Sequence, residues 1–484
     1  MQYTRRDFVK AVGLGAASLL FPSCQGSTRS LSSSKNHNRP PNFIVIFCDD
    51  LGYGDVGCFG SKKHRTPNLD RMAAEGMKFT SFYVTSGVCT PSRSSLMTGC
   101  YPRRVNMHQD HKNLCVLFPL GKKGLNPQEI TIAEVLKEKE YATACVGKWH
   151  LGDQKEFLPT RQGFDYYYGI PYSNDMGGRN NGKDKRPLLP LLRNETVIEA
   201  PAKQDTLTKR YTQEVIQFIT TNKDKPFFVY LPHTMPHNPV HASDAFRDKS
   251  ANGRYGDSVE EIDWSAGQIL KTLKTLRIDD QTLVVFTSDN GAASRWGGSN
   301  GPLRGWKGST WEGGMREPCI MRWPGKIPAG TESKEMCCTM DLLPTFAKLA
   351  GTNSPMDRVI DGKHIWDLMS NKSGAKSPHD AFYYYQMDQL QAVRSGKWKL
   401  HLALKPKKRN WGKHEPQSSL QLYDLEADIA EKNNVAQQNP DVVQRLLKLA
   451  DKARQDLGDT GQTGAHQRPA GSVITPKPLV MSSP

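Results

Sequence analysis

Cysteine is scarce in this chain: ten in 484 residues, far below the density of a scaffold held together by disulfides. Long hydrophobic runs are missing too. Nowhere do about 18 uncharged apolar residues follow one another, which argues against a membrane-spanning helix. Acidic residues fall short of basic ones, 49 against 65, leaving a formal charge of +16. Such an excess suits an acidic partner: nucleic acid, an anionic surface or a polyanionic substrate. No nucleic-acid recognition motif accompanies the charge, so nucleic acid is not expected as a partner. No internal repeat divides the chain. Hydrophobic residues still make up 37%, with nine Trp, which is enough for a real core and rules out wholesale disorder. The length allows two domains, or one large domain with an appendage.

The first residues read as an address. Thr4-Arg5-Arg6-Asp7-Phe8-Val9-Lys10 is a twin-arginine block, followed by the apolar stretch Ala11 to Phe21. A basic segment before a short apolar one follows export-signal logic, and paired arginines point to the Tat route of a bacterium. Cys24 follows Leu20-Phe21-Pro22-Ser23, similar to a lipoprotein cleavage site, although Phe21 and Pro22 are atypical there. A lipid anchor at Cys24 is therefore left open, and the expected location is periplasmic or membrane-anchored. Residues 1–24 are read as signal and 25–41, rich in Ser, Asn and Pro, as a flexible linker.

Beyond the linker, short apolar runs alternate with amphipathic patterns. Phe43 to Phe47, Ala142 to Val146, Phe227 to Leu231 and Leu283 to Phe286 read as strands buried on both faces. Thr131 is placed to cap a helix carrying Ile132, Val135 and Leu136. Val259, Ile262, Ala266, Ile269, Leu270 and Leu273 recur at helical spacing. The alternation predicts an α/β fold, a mostly parallel sheet flanked by helices, over residues 42–377. From 378 to 457 the rhythm changes to a smaller α+β subdomain. Strands are expected at Ala381 to Gln386 and Gln391 to Leu402, and a helix at Asp441 to Leu457. Residues 458–484, rich in Gly, Pro and Thr, read as a disordered tail. Seven basic residues, Lys397, Lys399, Lys405, Lys407, Lys408, Arg409 and Lys413, have no acidic residue between them and suggest a basic rim for a polyanionic glycan.

The chemistry lies in what ends each strand. Asp49-Asp50 follow the first, Lys148-Trp149-His150 the second, His233 and His237 the third, Asp289-Asn290 the fourth. Ligands of open α/β sheets bind beyond the carboxyl ends of the strands, so these groups are expected at one edge. Asp49, Asp50, Asp289 and Asn290 offer oxygen ligands, which suit a hard cation such as Ca²⁺ or Mg²⁺ rather than zinc. With Lys148, Lys307 and Arg93 they define a pocket for a sulfate or phosphate group. In Val88-Cys89-Thr90-Pro91-Ser92-Arg93, Pro91 suits the first turn of a helix that Gly99 ends. Cys89 then sits at the N-terminus of that helix, where a lowered thiol pKa is expected.

Cys89-Thr90-Pro91-Ser92-Arg93 with Leu96-Met97-Thr98-Gly99 resembles the signature of the formylglycine-dependent sulfatases, which have the alkaline-phosphatase-like fold. Gly147-Lys148-Trp149-His150-Leu151-Gly152 is similar to the family's second signature. The likeness continues through Asp289-Asn290-Gly291, Leu303-Arg304-Gly305-Trp306-Lys307-Gly308 and Trp311-Glu312-Gly313-Gly314 to Leu422-Tyr423-Asp424-Leu425. The resemblance implies that a sulfatase-maturating enzyme converts Cys89 to formylglycine (3-oxoalanine), whose hydrate is the nucleophile. It implies calcium held by Asp49, Asp50, Asp289 and Asn290 and touching residue 89. Arg93 is then expected to stabilise the hydrate, and Lys148 and Lys307 to clamp the sulfate. His237, rather than the less certain His233, would protonate the leaving alcohol, and His150 would take up a proton as sulfate departs. The segment from Leu158 to Asp175 looks most like arylsulfatase A and the galactose or N-acetylgalactosamine sulfatases. It suggests exo action on sulfated carbohydrates, with Asn174 and Asp175 as hydroxyl binders. The alternative is a phosphonate monoester hydrolase or phosphodiesterase of the same superfamily. Disulfide pairing cannot be read from the spacing.

Overall fold

A computed structural model describes residues 39–178, 186–404 and 418–481. The export signal, Cys24, most of the linker, and Lys405, Lys407, Lys408, Arg409 and Lys413 of the expected rim lie outside the described residues.

The four apolar runs form strands Asn42–Cys48, Ala142–Val146, Phe227–Pro232 and Thr282–Ser288, every residue of them buried. They are the centre of an eleven-stranded sheet. Asn42–Cys48 pairs in parallel with Phe227–Pro232 on one side and Thr282–Ser288 on the other; Ala142–Val146 pairs in parallel with Phe227–Pro232. Burial on both faces explains why these strands lack period-two alternation: one core lies on each side of the sheet, Phe43, Val45 and Phe47 facing one and Ile44 and Ile46 the other. Antiparallel pairing enters on both flanks, at Arg316–Arg322 and at Leu191–Arg193 with Thr196–Glu199. The mostly parallel helix-flanked sheet is as the alternation predicts.

Helices start where the sequence punctuates them. Thr131 accepts a hydrogen bond from the Glu134 backbone while Glu134 reaches back to the Thr131 N–H, a reciprocal cap on Ile132–Lys137 worth about 1 kcal/mol. The long pattern from Val259 to Leu273 lies within helix Gly253–Thr275. Among the described residues, no helix is long and apolar enough to cross a membrane.

The C-terminal sheet has four antiparallel strands, Phe382–Gln386, Gln389–Ser395, Trp398–His401 and Gln421–Asp424. The single expected strand from Gln391 to Leu402 is thus two, folded at a turn. Helix Pro440–Leu457 covers the sheet, burying Val443, Leu446, Ala450, Ala453 and Leu457 at alternating spacings of three and four. This subdomain does not close its own core: its cluster includes Tyr83, Val84, Met315, Met336 and Met340. At the seam Glu312 accepts hydrogen bonds from Tyr83 (2.5 Å), Tyr384 (3.1 Å) and Lys399 (2.9 Å) and pairs with Arg316 (3.3 Å).

Two expectations are overturned. Residues 458–481 are not a free tail. Gly458–Asp459 pairs with Gln462–Thr463, and Gly471–Ser472 forms an antiparallel pair with Lys123–Gly124 of the catalytic domain. Arg103 donates to the carbonyls of Leu457 and Gln462, and Arg468 to both oxygens of Glu129. The content of Gly, Pro and Thr reflects turns, not disorder. Lys399, in turn, is no part of a basic rim: it is fully buried between Glu312 and Glu431, both at 2.9 Å. Lys397 pairs with Asp424 at 2.6 Å.

Candidate active site

The registers bring the strand ends to one edge: Cys48 lies beside Ser288, Phe47 beside Pro232 and Cys145 beside Tyr230. Asp49-Asp50, Lys148 to His150, His237 and Asp289-Asn290 therefore emerge together. The turn into Lys148 needs glycine: Gly147 has φ +136°, and a Cβ there would lie 1.9 Å from the Pro232 carbonyl oxygen.

Opposite charges meet at this edge. Lys148 Nζ lies 2.5 Å from Asp49 Oδ2 and donates to Ser173 Oγ at 3.2 Å. Lys307 Nζ is 2.5 and 2.8 Å from the two oxygens of Asp50. Arg93 donates twice to Asp289 Oδ2, at 3.1 and 2.6 Å, and once to the Lys148 carbonyl at 2.9 Å. The bidentate pair requires the Asp289 carboxylate, although burial and the charge of Asp49 push that carboxyl upward. Burial disfavours the Lys307 ammonium, but Asp50 outweighs it and keeps the group charged. Three carboxylates and three cations cancel, almost wholly out of solvent.

Two oxygens are left over. Asp49 Oδ1 and Asn290 Oδ1 are buried and have no hydrogen-bond partner. The Asn290 amide is fixed by donation to Asp50 Oδ1 (2.7 Å) and the Gly291 carbonyl (3.0 Å), which turns its oxygen away from both. Each unpaired buried acceptor costs about 1–3 kcal/mol, a cost that a bound cation removes. Ligand atoms of Asp49, Asp50, Cys89 and His237 all lie within 4.8 Å of one another. A donor set dominated by oxygen fits a hard divalent ion. Of the four expected metal residues, Asp49 and Asn290 present free oxygens, while Asp50 and Asp289 are engaged by Lys307 and Arg93.

Cys89 opens helix Cys89–Thr98, with Gly99 closing it at φ +67°, as the Pro91–Gly99 punctuation predicts. The expected activated thiol is not found. Burial pushes the Cys89 thiol up to about 12, more than Lys148 and Lys307 pull it down. At 3% exposure, desolvation outweighs the helix N-terminus.

The histidines divide cleanly. His150 Nε2 donates to the Leu117 carbonyl at 2.9 Å, so the proton sits there and Nδ1 is bare, buried and unpartnered. Burial and Lys148 hold it neutral, as a base requires. His237 Nδ1 lies 3.0 Å from Asn174 Oδ1. Asn174 uses its NH₂ on Gln204 Oε1 (2.9 Å) and the Pro239 carbonyl (3.0 Å), so its oxygen must accept and His237 Nδ1 carries hydrogen. His237 Nε2, 3.7 Å from Asp50 Oδ2, remains for the substrate. His233 stands apart, 3.4 Å from Ser265 and pushed down to about 3 by burial.

Asn174 is therefore not a hydroxyl binder: it is 2% exposed and spends its amide on orienting His237. Asp175 does stay at the exposed mouth, on a pocket shared with Cys89, His150, His237 and Lys307. Ser173, which positions Lys148, and Met387, which reaches the pocket from the C-terminal sheet, carry no signal in the sequence. Replacing Asn174 with alanine should remove the acceptor that favours a protonated His237. We expect turnover of an alkyl sulfate to fall by on the order of tenfold, with the alkaline limb of kcat/KM moving to lower pH. A nitrophenyl sulfate, whose leaving group needs no proton, should be affected less; an equal loss on both would refute the assignment.

The sulfatase family profile matches residues 41–352, and the profile of the C-terminal region of N-sulphoglucosamine sulphohydrolase matches residues 305–456. An N-acetylgalactosamine-6-sulfatase of Canis lupus familiaris is 42% identical over 380 residues, covering 75% of this chain and 72% of the relative. Arylsulfatase A of Homo sapiens is 38% identical over 450 residues, covering 85% and 87%. A steryl-sulfatase of Homo sapiens is 38% identical over 429 residues, covering 73% of each chain. Among solved structures, Ps i-CgsB in complex with k-i-k-neocarrahexaose superposes with a TM-score of 0.73 at 32% identity, covering 86% of this chain and 92% of the other. The chain belongs to the sulfatase family, and is a sulfuric ester hydrolase of the alkaline phosphatase superfamily.

Proposed function

We propose that this enzyme is an exported bacterial sulfatase that removes sulfate from the ends of sulfated carbohydrate chains, of the galactose or N-acetylgalactosamine sulfate type. The observation that carries the chemistry is the gathering of Lys148, Lys307, Arg93 and two unpartnered oxygens around the buried Cys89. The twin-arginine leader supports export, to the periplasm or to a lipid anchor at Cys24. The N-acetylgalactosamine-6-sulfatase relative and the carrahexaose complex support a carbohydrate substrate.

The Cys89-Thr90-Pro91-Ser92-Arg93 motif, opening a helix at the pocket, supports conversion of Cys89 to formylglycine by a maturating enzyme. With Ca²⁺ (or Mg²⁺) at Asp49, Asp50, Asp289 and Asn290, the matured residue would supply an aldehyde-hydrate nucleophile beside a charge-neutralising ion. The protein's own groups do the rest. Lys148 and Lys307 bind sulfate oxygens, and Arg93 holds Asp289 in place. His237 Nε2 gives a proton to the leaving sugar oxygen, and His150 Nδ1 takes one up. Treatment with a chelator should abolish activity and lower Tm, and added Ca²⁺ should restore both. Unchanged Tm would contradict a resident ion.

The test is a rate comparison of the matured protein on 4-nitrophenyl sulfate, phosphate and a phosphonate monoester, followed by sulfated mono- and oligosaccharides. The sulfate ester should turn over fastest. A faster phosphonate or phosphodiester would replace this reading with the superfamily alternative.

A further inference from the structure

The catalytic pocket has a volume of about 200 Å³, below the 300–1,000 Å³ usual for sites that enclose a whole ligand. It has room for a sulfate and little more than the ring that carries it. Beside it lies a second, open cavity of about 650 Å³, lined almost entirely by polar side chains. The two share a wall. Gln109 lines the outer cavity and donates at 2.9 Å to Asn113, which lines the catalytic pocket. Met387 and Asp388, at one turn of the C-terminal sheet, face the pocket and the cavity respectively. Gln386 ties that turn to the Lys307 loop, donating to the Gly308 carbonyl at 2.6 Å.

The far wall is residues 461–469, held in place by Arg103 and Arg468. Arg103, in the lining, makes no ion pair among the described residues: it bonds to the carbonyls of Leu457, Asp459 and Gln462 and to His108. The carboxylates of Asp388 and Asp459, also in the lining, act on its charge, and Arg468 is matched by Glu129. Amides, hydroxyls and charged groups of both signs suit a hydroxyl-rich ligand; an apolar alcohol would find no surface there.

We propose that this groove binds the sugar residues that follow the sulfated terminal one, so that the enzyme recognises an oligosaccharide and not an isolated sugar. The inference rests on the carbohydrate sulfatase reading above. Thr463, exposed on the far wall, and Gln109, on the shared one, are its reporters.

The test uses matured enzyme on chondroitin, carrageenan and heparan sulfate tetrasaccharides, each against its own sulfated terminal monosaccharide, with 4-nitrophenyl sulfate as control. At least one tetrasaccharide should exceed its monosaccharide in kcat/KM by about tenfold, the worth of one or two well-made hydrogen bonds to charged groups. Thr463→Trp, which fills the groove, should erase that advantage, and Gln109→Ala should reduce it. Both variants should keep 4-nitrophenyl sulfate hydrolysis within about twofold, which also reports that they fold. Equal rates on tetrasaccharide and monosaccharide would overturn the proposal, as would an advantage that survives Thr463→Trp. So would hydrolysis of 4-nitrophenyl sulfate with none of the saccharides. Failure on every sulfate ester would instead strike the underlying function.

Discussion

Cys89→Ala, produced alongside the maturating enzyme, should lose sulfate release by at least about a thousandfold while keeping its fold. Removing the nucleophile removes a covalent bond to sulfur that no neighbouring residue replaces. Of the other nucleophilic side chains at the pocket, Ser173 accepts from Lys148, and burial pushes the Cys115 thiol up. In the proposed mechanism His150 and His237 carry protons and Lys148 and Lys307 bind sulfate oxygens, so none of them replaces the bond to sulfur. The fold should survive because the side chain is small and the helix cap does not depend on sulfur. Intact-mass measurement should show the wild-type thiol replaced by an aldehyde in active preparations. Full activity from protein whose mass retains the thiol would break this mechanism. Thermal unfolding of the variant should match that of unmodified wild type, which separates lost chemistry from lost structure.

Glu312→Ala should do the reverse, weakening the fold throughout. Burial pushes the Glu312 carboxyl up, but Lys399, Arg316 and Arg394 outweigh it and hold it well below the usual range. Truncation leaves Arg316 and Arg394 buried without this counter-charge, and Lys399 with Glu431 alone. Breaking a buried ion pair from one side costs about 3–5 kcal/mol, a large part of the 5–15 typical of a whole domain. The loss is measured as the shift of the urea midpoint. A second signature comes from pH. A carboxyl depressed in the folded state stabilises above its unfolded pKa, near 4.3, and that stability is lost as pH falls further. Wild type should therefore weaken steeply below about pH 4, and the variant less so. A change below 1 kcal/mol would mean that the network contributes geometry rather than energy.

These two residues also show what the sequence makes legible. Apolar runs at Asn42–Cys48, Ala142–Val146, Phe227–Pro232 and Thr282–Ser288 are legible because a strand buried on both faces has no polar positions to disguise it. Once parallel pairing is inferred, the polar residues after each run must share an edge, and they do. Motif resemblance supplies what spacing cannot, such as the proposed conversion of Cys89. Its thiol is misjudged because a helix N-terminus is visible in sequence and burial is not. Asn174 is misjudged for a related reason: an amide in a loop reads as a sugar contact until its three hydrogen-bond partners are known. Lys399 reads as solvated because its counter-charges, Glu312 and Glu431, lie 87 and 32 residues away. The pairing of Gly471–Ser472 with Lys123–Gly124 has no pattern at all, since two residues cannot display a period.

That returning C-terminus has a consequence in the order of synthesis. A ribosome has spelled out all of the catalytic edge by Lys307, yet the far wall of the groove begins only at Gly461. Chemistry is encoded early and reach last. If the proposed groove binds sugar, variation confined to residues 461–469 retunes which saccharides the enzyme accepts without touching the catalytic edge.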